Sequence, residues 1–123
     1  MDKKETARLL GFVRFVIGAF LFLFPGWSAR MWLGRENDSD AMRMAVRGLG
    51  GRDMAIGLGI VSAIENDEPA GGWLAASAAA DASDALGTLV HGGTLPVGKR
   101  FVAFAIEAGA AVIGFQLASS DEL

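Results

Sequence analysis

Five side chains able to hold or pass protons and cations fall in register along one segment. Ser77, Asp81, Asp84, Thr88 and His91 lie at offsets of 0, 4, 7, 11 and 14 residues, which in an α-helix makes one continuous stripe. Two carboxyls on one helical face repel when both are ionised. A carboxyl that keeps its proton beside ionised ones is the material of proton relays and acid–base catalysis. Glu107 adds a further acid, in a stripe with Ala103, Ala110 and Gly114. Asp81, Asp84 and Glu107 are therefore the candidate acid–base, proton-handling or cation-handling groups.

Basic partners stand in comparable settings. Arg14 lies between Gly11 and Gly18, and Arg52-Asp53 sits beside the close-packing face of Gly51, Ala55 and Gly59. Arg14, Arg47 and Arg52 give three cations against the four carboxyls Asp53, Asp81, Asp84 and Glu107. An uncompensated buried charge is costly, so either one carboxyl is protonated or a cationic ligand sits among them. The binding candidates are Arg14, Arg47, Arg52, Asp53, Ser77, Thr88 and His91. Plainer readings stand beside these: Arg52 and Asp53 as a structural pair, Glu107 satisfied by Arg52 or Arg100, and His91 stabilised at a helix C-terminus. No metal and no cofactor is expected. Carboxylates alone suit only a hard cation, a single rim histidine gives little support for zinc, and the absence of cysteine excludes thiolate ligands and thiol catalysis.

Four apolar segments would have to carry these groups: helices over about 9–24, 45–64, 73–90 and 99–118. Pro25-Gly26 closes the first. The stretch from Trp27 to about Asp40 reads as a polar linker, with a lid over the site as an alternative. The turn at 65–69 is acidic, and the turn at 91–98 contains Gly92-Gly93 and Pro96. Each segment is close to the ~20 residues that cross a ~30 Å hydrocarbon layer. The first and fourth are convincing on hydropathy alone, and the second and third carry the charges. The expected fold is all-α, a single antiparallel four-helix transmembrane bundle spanning residues 1–123, with a soluble helical bundle as the alternative.

Composition agrees. The 123 residues are 52% hydrophobic and 20% charged, with mean hydropathy +0.38, whereas soluble domains carry about 25% charged residues. Seventeen glycines suit close helix approach in lipid. Lys3 and Lys4 before the first apolar run imitate a signal peptide, but Arg14 inside the run and the poor cleavage site after it favour a retained span. The distribution of Lys and Arg mildly favours the side opposite the termini as cytoplasmic. Trp27, Trp32 and Trp73 read as interfacial anchors. A net charge of −3 disfavours nucleic acid. Phosphate-binding loops, dinucleotide fingerprints, HExxH and nucleophile elbows are absent from the sequence.

At 1.5 Å per residue, Arg52, Asp53, Asp84 and Glu107 are expected to share a layer about 10–12 Å below the surface opposite the termini. Asp81 falls near the midplane. His91, Arg47 and Arg100 would ring the mouth, and Arg14, nearer the terminal side, would reach Asp81 or stand apart.

The stretch Leu23-Phe24-Pro25, Leu33-Gly34-Arg35 and Arg47-Gly48-Leu49-Gly50-Gly51-Arg52-Asp53-Met54-Ala55-Ile56-Gly57-Leu58 resembles a group of small four-helix bacterial membrane proteins, related in layout to the DoxX-like families. The similarity covers roughly residues 10–60 and fades afterwards. It implies a four-span protein of the bacterial inner membrane and no particular activity, and its motif carries over to Arg52 and Asp53 alone.

Three functions remain open on these grounds. The first is a bundle that binds or moves a small ligand, proton or cation. The second is a membrane-embedded acid–base enzyme acting on a lipophilic substrate. The third is a non-catalytic assembly subunit whose small-residue faces meet a second copy or a larger membrane complex. The expected partners are accordingly the lipid bilayer, a lipophilic small molecule or cation, and such an oligomer.

Overall fold

The computed structural model describes all 123 residues as an all-helical chain with no strand. Five α-helices follow in order: α1 (Lys3–Leu23), α2 (Pro25–Leu33), α3 (Asp40–Glu65), α4 (Gly71–His91) and α5 (Val97–Ala118). Single 3₁₀ turns at Arg35–Asn37 and Gly92–Thr94 complete it.

Local chemistry sets the helix ends. Asp2 caps α1, its Oδ1 accepting from Glu5 N at 2.8 Å, and Glu5 closes a capping box from the other side. This cap carries α1 well upstream of the expected start at Leu9. Ser39 Oγ accepts from Met42 N at 3.1 Å, so α3 begins at Asp40, before the apolar run near Ala45.

Pro25 ends α1, as its place after the apolar run predicts, and it also opens α2 at its first turn. There a missing N–H costs nothing and φ is already helical. The expected linker is thus half helix. It stops at Gly34, whose φ of 89° suits glycine and few other residues.

Two helix pairs make the most extensive contacts, α1 with α3 and α4 with α5, while α3 meets α4 over much less. The α1–α3 seam is built on backbone. A Cβ added at Gly18 would lie 2.6 Å from the Gly50 carbonyl oxygen and from Met54 N, and one added at Gly57 would lie 2.5 Å from the Gly11 oxygen. The α4–α5 seam is looser: a Cβ added at Gly114 would lie 3.0 Å from the Ala78 Cβ.

One end of the molecule gathers both termini and the 65–70 turn. Arg8 pairs with Glu65 and Lys4 with Asp67, and Ala70 N donates to the Leu123 carbonyl at 2.7 Å. A small apolar core fills this end, with Ala7, Ile60, Ala63, Leu74 and Leu117 at its centre. The opposite end carries α2 and the 91–96 turn, joined where Lys99 Nζ donates to the Met31 carbonyl at 2.8 Å.

Elsewhere the surface is apolar. α1 and α5 are long and apolar enough to cross a membrane, yet only 22% and 17% of their apolar windows are buried. Phe12, Ile17, Phe101, Ile106 and Val112 are all exposed. Membrane-spanning length and composition are met by these two helices alone. The interior charges lie on α1, α3 and α4, with Glu107 on α5.

Candidate functional site

The mid-helix positions of α1, α3 and α4 bring five charged side chains together. Arg14, Asp53 and Asp81 each lie near the middle of their helix, on α1, α3 and α4 respectively. Arg14 Nη1 donates to Asp53 Oδ1 at 2.9 Å, and its Nη2 pairs with Asp81 Oδ2. Arg52 grips Asp84 with two parallel bonds, Nη1 to Oδ1 at 3.1 Å and Nη2 to Oδ2 at 2.7 Å. Its Nη2 also reaches Asp53 Oδ1 at 3.0 Å. Asp53 Oδ1 therefore joins both guanidiniums. Forked Arg–carboxylate geometry of this kind gives the strongest charge-assisted bonds available to a protein.

The network grades from dry to wet. Side-chain exposure is 8% for Arg14, 10% for Asp81 and 12% for Asp53, against 31% for Arg52 and 29% for Asp84. Ser77, one turn from Asp81, is fully buried and its hydroxyl has no partner, and Arg14 Nε is likewise unbonded.

Arg14 reaches Asp81, one of the two outcomes expected for it, and bonds Asp53 as well, which places it at the network's centre. Counting from the true start of α3 places Asp53 about 20 Å along the helix, at its middle, where Arg14 also lies. Glu107 belongs to neither arginine; its Oε2 accepts from Thr88 Oγ1 at 2.8 Å. None of His91, Arg47 and Arg100 bonds an interior acid. His91 is exposed at the end of α4, Arg47 Nε donates to the Phe22 carbonyl at 3.1 Å, and Arg100 Nη2 donates to the Leu89 carbonyl at 2.6 Å.

Glu107 and Thr88 open instead on a cavity of about 330 Å³, with ten of its thirteen lining residues hydrophobic. Every helix contributes to its wall. Ile17 comes from α1, Ala29 and Trp32 from α2, Leu49 from α3, Thr88 from α4, and Ile106 with Glu107 from α5. Ser28, Thr88 and Glu107 are its polar lining residues. Such a volume falls at the lower end of the range that encloses a small organic ligand.

The part of this wall that sequence reasoning missed is α2. It is held on one side by Lys99 and on the other by Asp38, which accepts from Arg30 Nη1 at 2.8 Å and from Arg43 Nε at 2.8 Å and Nη2 at 3.0 Å. Hydrogen bonds from Arg43 first and Arg30 second hold the Asp38 carboxyl well below the usual carboxylate range. The available signal was Pro25, which marks a helix start as well as a helix end.

No group of His, Cys, Asp and Glu is arranged to hold a metal ion. Among known proteins, no family, no curated protein and no solved structure matches the chain.

Proposed function

We propose that this is an integral membrane protein of the bacterial inner membrane, an antiparallel bundle of four spans (α1, α3, α4 and α5) with α2 lying across one end. We propose further that it binds a small lipophilic ligand in the cavity beside Glu107. The exposed apolar faces of α1 and α5 and the inward position of the α3 and α4 charges support the first statement. One observation carries the second: the interior acids divide into three that are occupied by arginine and one, Glu107, that faces an apolar cavity without a cationic partner.

The same division weighs against a proton donor at Asp81 or Asp84, since each already serves a guanidinium. An assembly role is favoured by Gly72 and Gly87 on α4 and Gly109 on α5, which face open space and would admit a close helix from a second copy.

Purification in mild detergent followed by native mass spectrometry tests the ligand reading. A bound lipophile that is lost on Ala103→Phe, a substitution that fills the cavity, supports it. A protein with no binding capacity for any lipophile, equally in both forms, would overturn it. Quantitative recovery as a stable monomer without detergent would overturn the membrane assignment.

A further inference from the structure

Glu107 is the only ionisable residue in the cavity wall. It receives one hydrogen bond, from the neutral hydroxyl of Thr88 to Oε2, which leaves Oε1 without a partner in the protein. No Lys or Arg side chain bonds it. Arg52 is turned toward Asp53 and Asp84, and Arg14 toward Asp53 and Asp81. Two guanidiniums face four carboxyls: the three aspartates share both arginines, and Glu107, at the cavity, is the one carboxyl with no cation bonded to it.

Resting on the reading of this cavity as a ligand site, we propose that its occupant is a lipophilic monocation, a protonated amine whose head bonds Glu107 Oε1. Its tail, on the order of ten apolar heavy atoms for this volume, lies along Trp32, Leu49 and Ile106. A neutral alcohol can bond the same oxygen but leaves the carboxylate's charge uncompensated in a poorly solvated place. An anion is repelled by three acids. A hard divalent cation needs six or more oxygen ligands, and one carboxylate among hydrocarbon walls does not supply them. Charge and shape together select an organic ammonium.

The test uses the full chain in phosphatidylcholine nanodiscs, with n-decylamine, n-decanol and N-decylacetamide as probes and tryptophan fluorescence as the readout near neutral pH. The amine is expected to bind at least tenfold more tightly than either neutral probe. Glu107→Gln should bring the three within about twofold of one another, and Ala103→Phe should abolish all three. Equal affinity of amine and neutral probes in the native chain would overturn the cationic class while leaving the cavity as a lipophile site. Binding indifferent to Ala103→Phe would overturn the cavity reading itself. An amine preference that survives in Glu107→Gln would show that another anion holds the head and would overturn the assignment to Glu107. The native-chain comparison of amine with acetamide decides the class even where a variant fails to fold.

Discussion

Asp84 and Glu107 sit on neighbouring helices in the same interior, but one is gripped by a forked guanidinium and the other by a single hydroxyl. The first belongs to a network in which three aspartates and two arginines from α1, α3 and α4 satisfy one another. The second borders empty apolar volume. Removing one member of a buried, mutually bonded set leaves a stranded charge, whereas removing a carboxyl with one neutral partner strands no charge. The contrast assigns cohesion to the arginine network and leaves Glu107 free for chemistry with something outside the chain.

The largest effect that tests this contrast is expected from Arg14→Gln. Asp81 then has no cation bonded to it, and Asp53 keeps Arg52 alone. Breaking a buried pair on one side costs about 3–5 kcal/mol, read as a fall in stability in reversible unfolding from mixed micelles. A loss below about 1 kcal/mol would remove the network from the account of cohesion.

Next comes the α1–α3 seam that brings Arg14 to Asp53. Gly50→Ala places a methyl 2.5 Å from the Gly18 carbonyl oxygen and 2.6 Å from Phe22 N. Both are backbone atoms, which do not yield cheaply, so a loss of about 1–3 kcal/mol is expected. The neighbouring Gly51 faces open space, and Gly51→Ala should stabilise α3 by roughly 0.5–1 kcal/mol. Equal effects at the two positions would contradict the seam.

Glu107→Gln should then change stability by less than about 1 kcal/mol in either direction, measured by the same unfolding assay. A cost comparable to that of Arg14→Gln would make Glu107 another structural acid and erase the distinction.

The smallest effect belongs to Asp38, which pairs with two arginines as Asp53 does, though here both arginines are exposed. Its folded pKa is depressed below that of the unfolded chain. The stabilisation of α2 is therefore fully present above the unfolded value, about pH 4, and is lost as pH falls through the lower folded value. In a Trp73→Phe background, the fluorescence of Trp27 and Trp32 should report α2 loosening only below about pH 4. Asp38→Asn should remove that step, and added salt should weaken the clasp because its two arginines are exposed.

The all-helical class was legible in the sequence, as was the stripe on α4. Ser77 and Asp81 are buried and Asp84 and Thr88 half-buried, as helical periodicity requires. The two segments convincing on hydropathy are also the two helices of spanning composition in the structure. Depth was less legible, because hydropathy marks where a helix is apolar and not where it begins. The caps at Asp2 and Ser39 carry α1 and α3 beyond their apolar stretches, which places Asp53 at mid-helix and Arg14 level with it. Glu107's isolation was not legible at all. The stripe Ala103, Glu107, Ala110 and Gly114 shows which side of α5 turns inward, but not which side chains of the neighbouring helices it meets there. α2 was hidden because proline both stops one helix and starts another.

The sequence separations within the arginine network bear on how the protein is made. Arg14 pairs with partners 39 and 67 residues further along the chain. At a synthesis rate of about 5–20 residues per second, Asp53 leaves the ribosome roughly 2–8 s after Arg14, and Asp81 later still. On the membrane reading, the first helix emerges with an unpaired guanidinium at its centre, for which insertion into lipid costs about 2.5–3.5 kcal/mol. Such a helix gains by waiting at the insertion machinery until α3 arrives, so the Arg14–Asp53 pair ties the release of α1 into the bilayer to the arrival of α3.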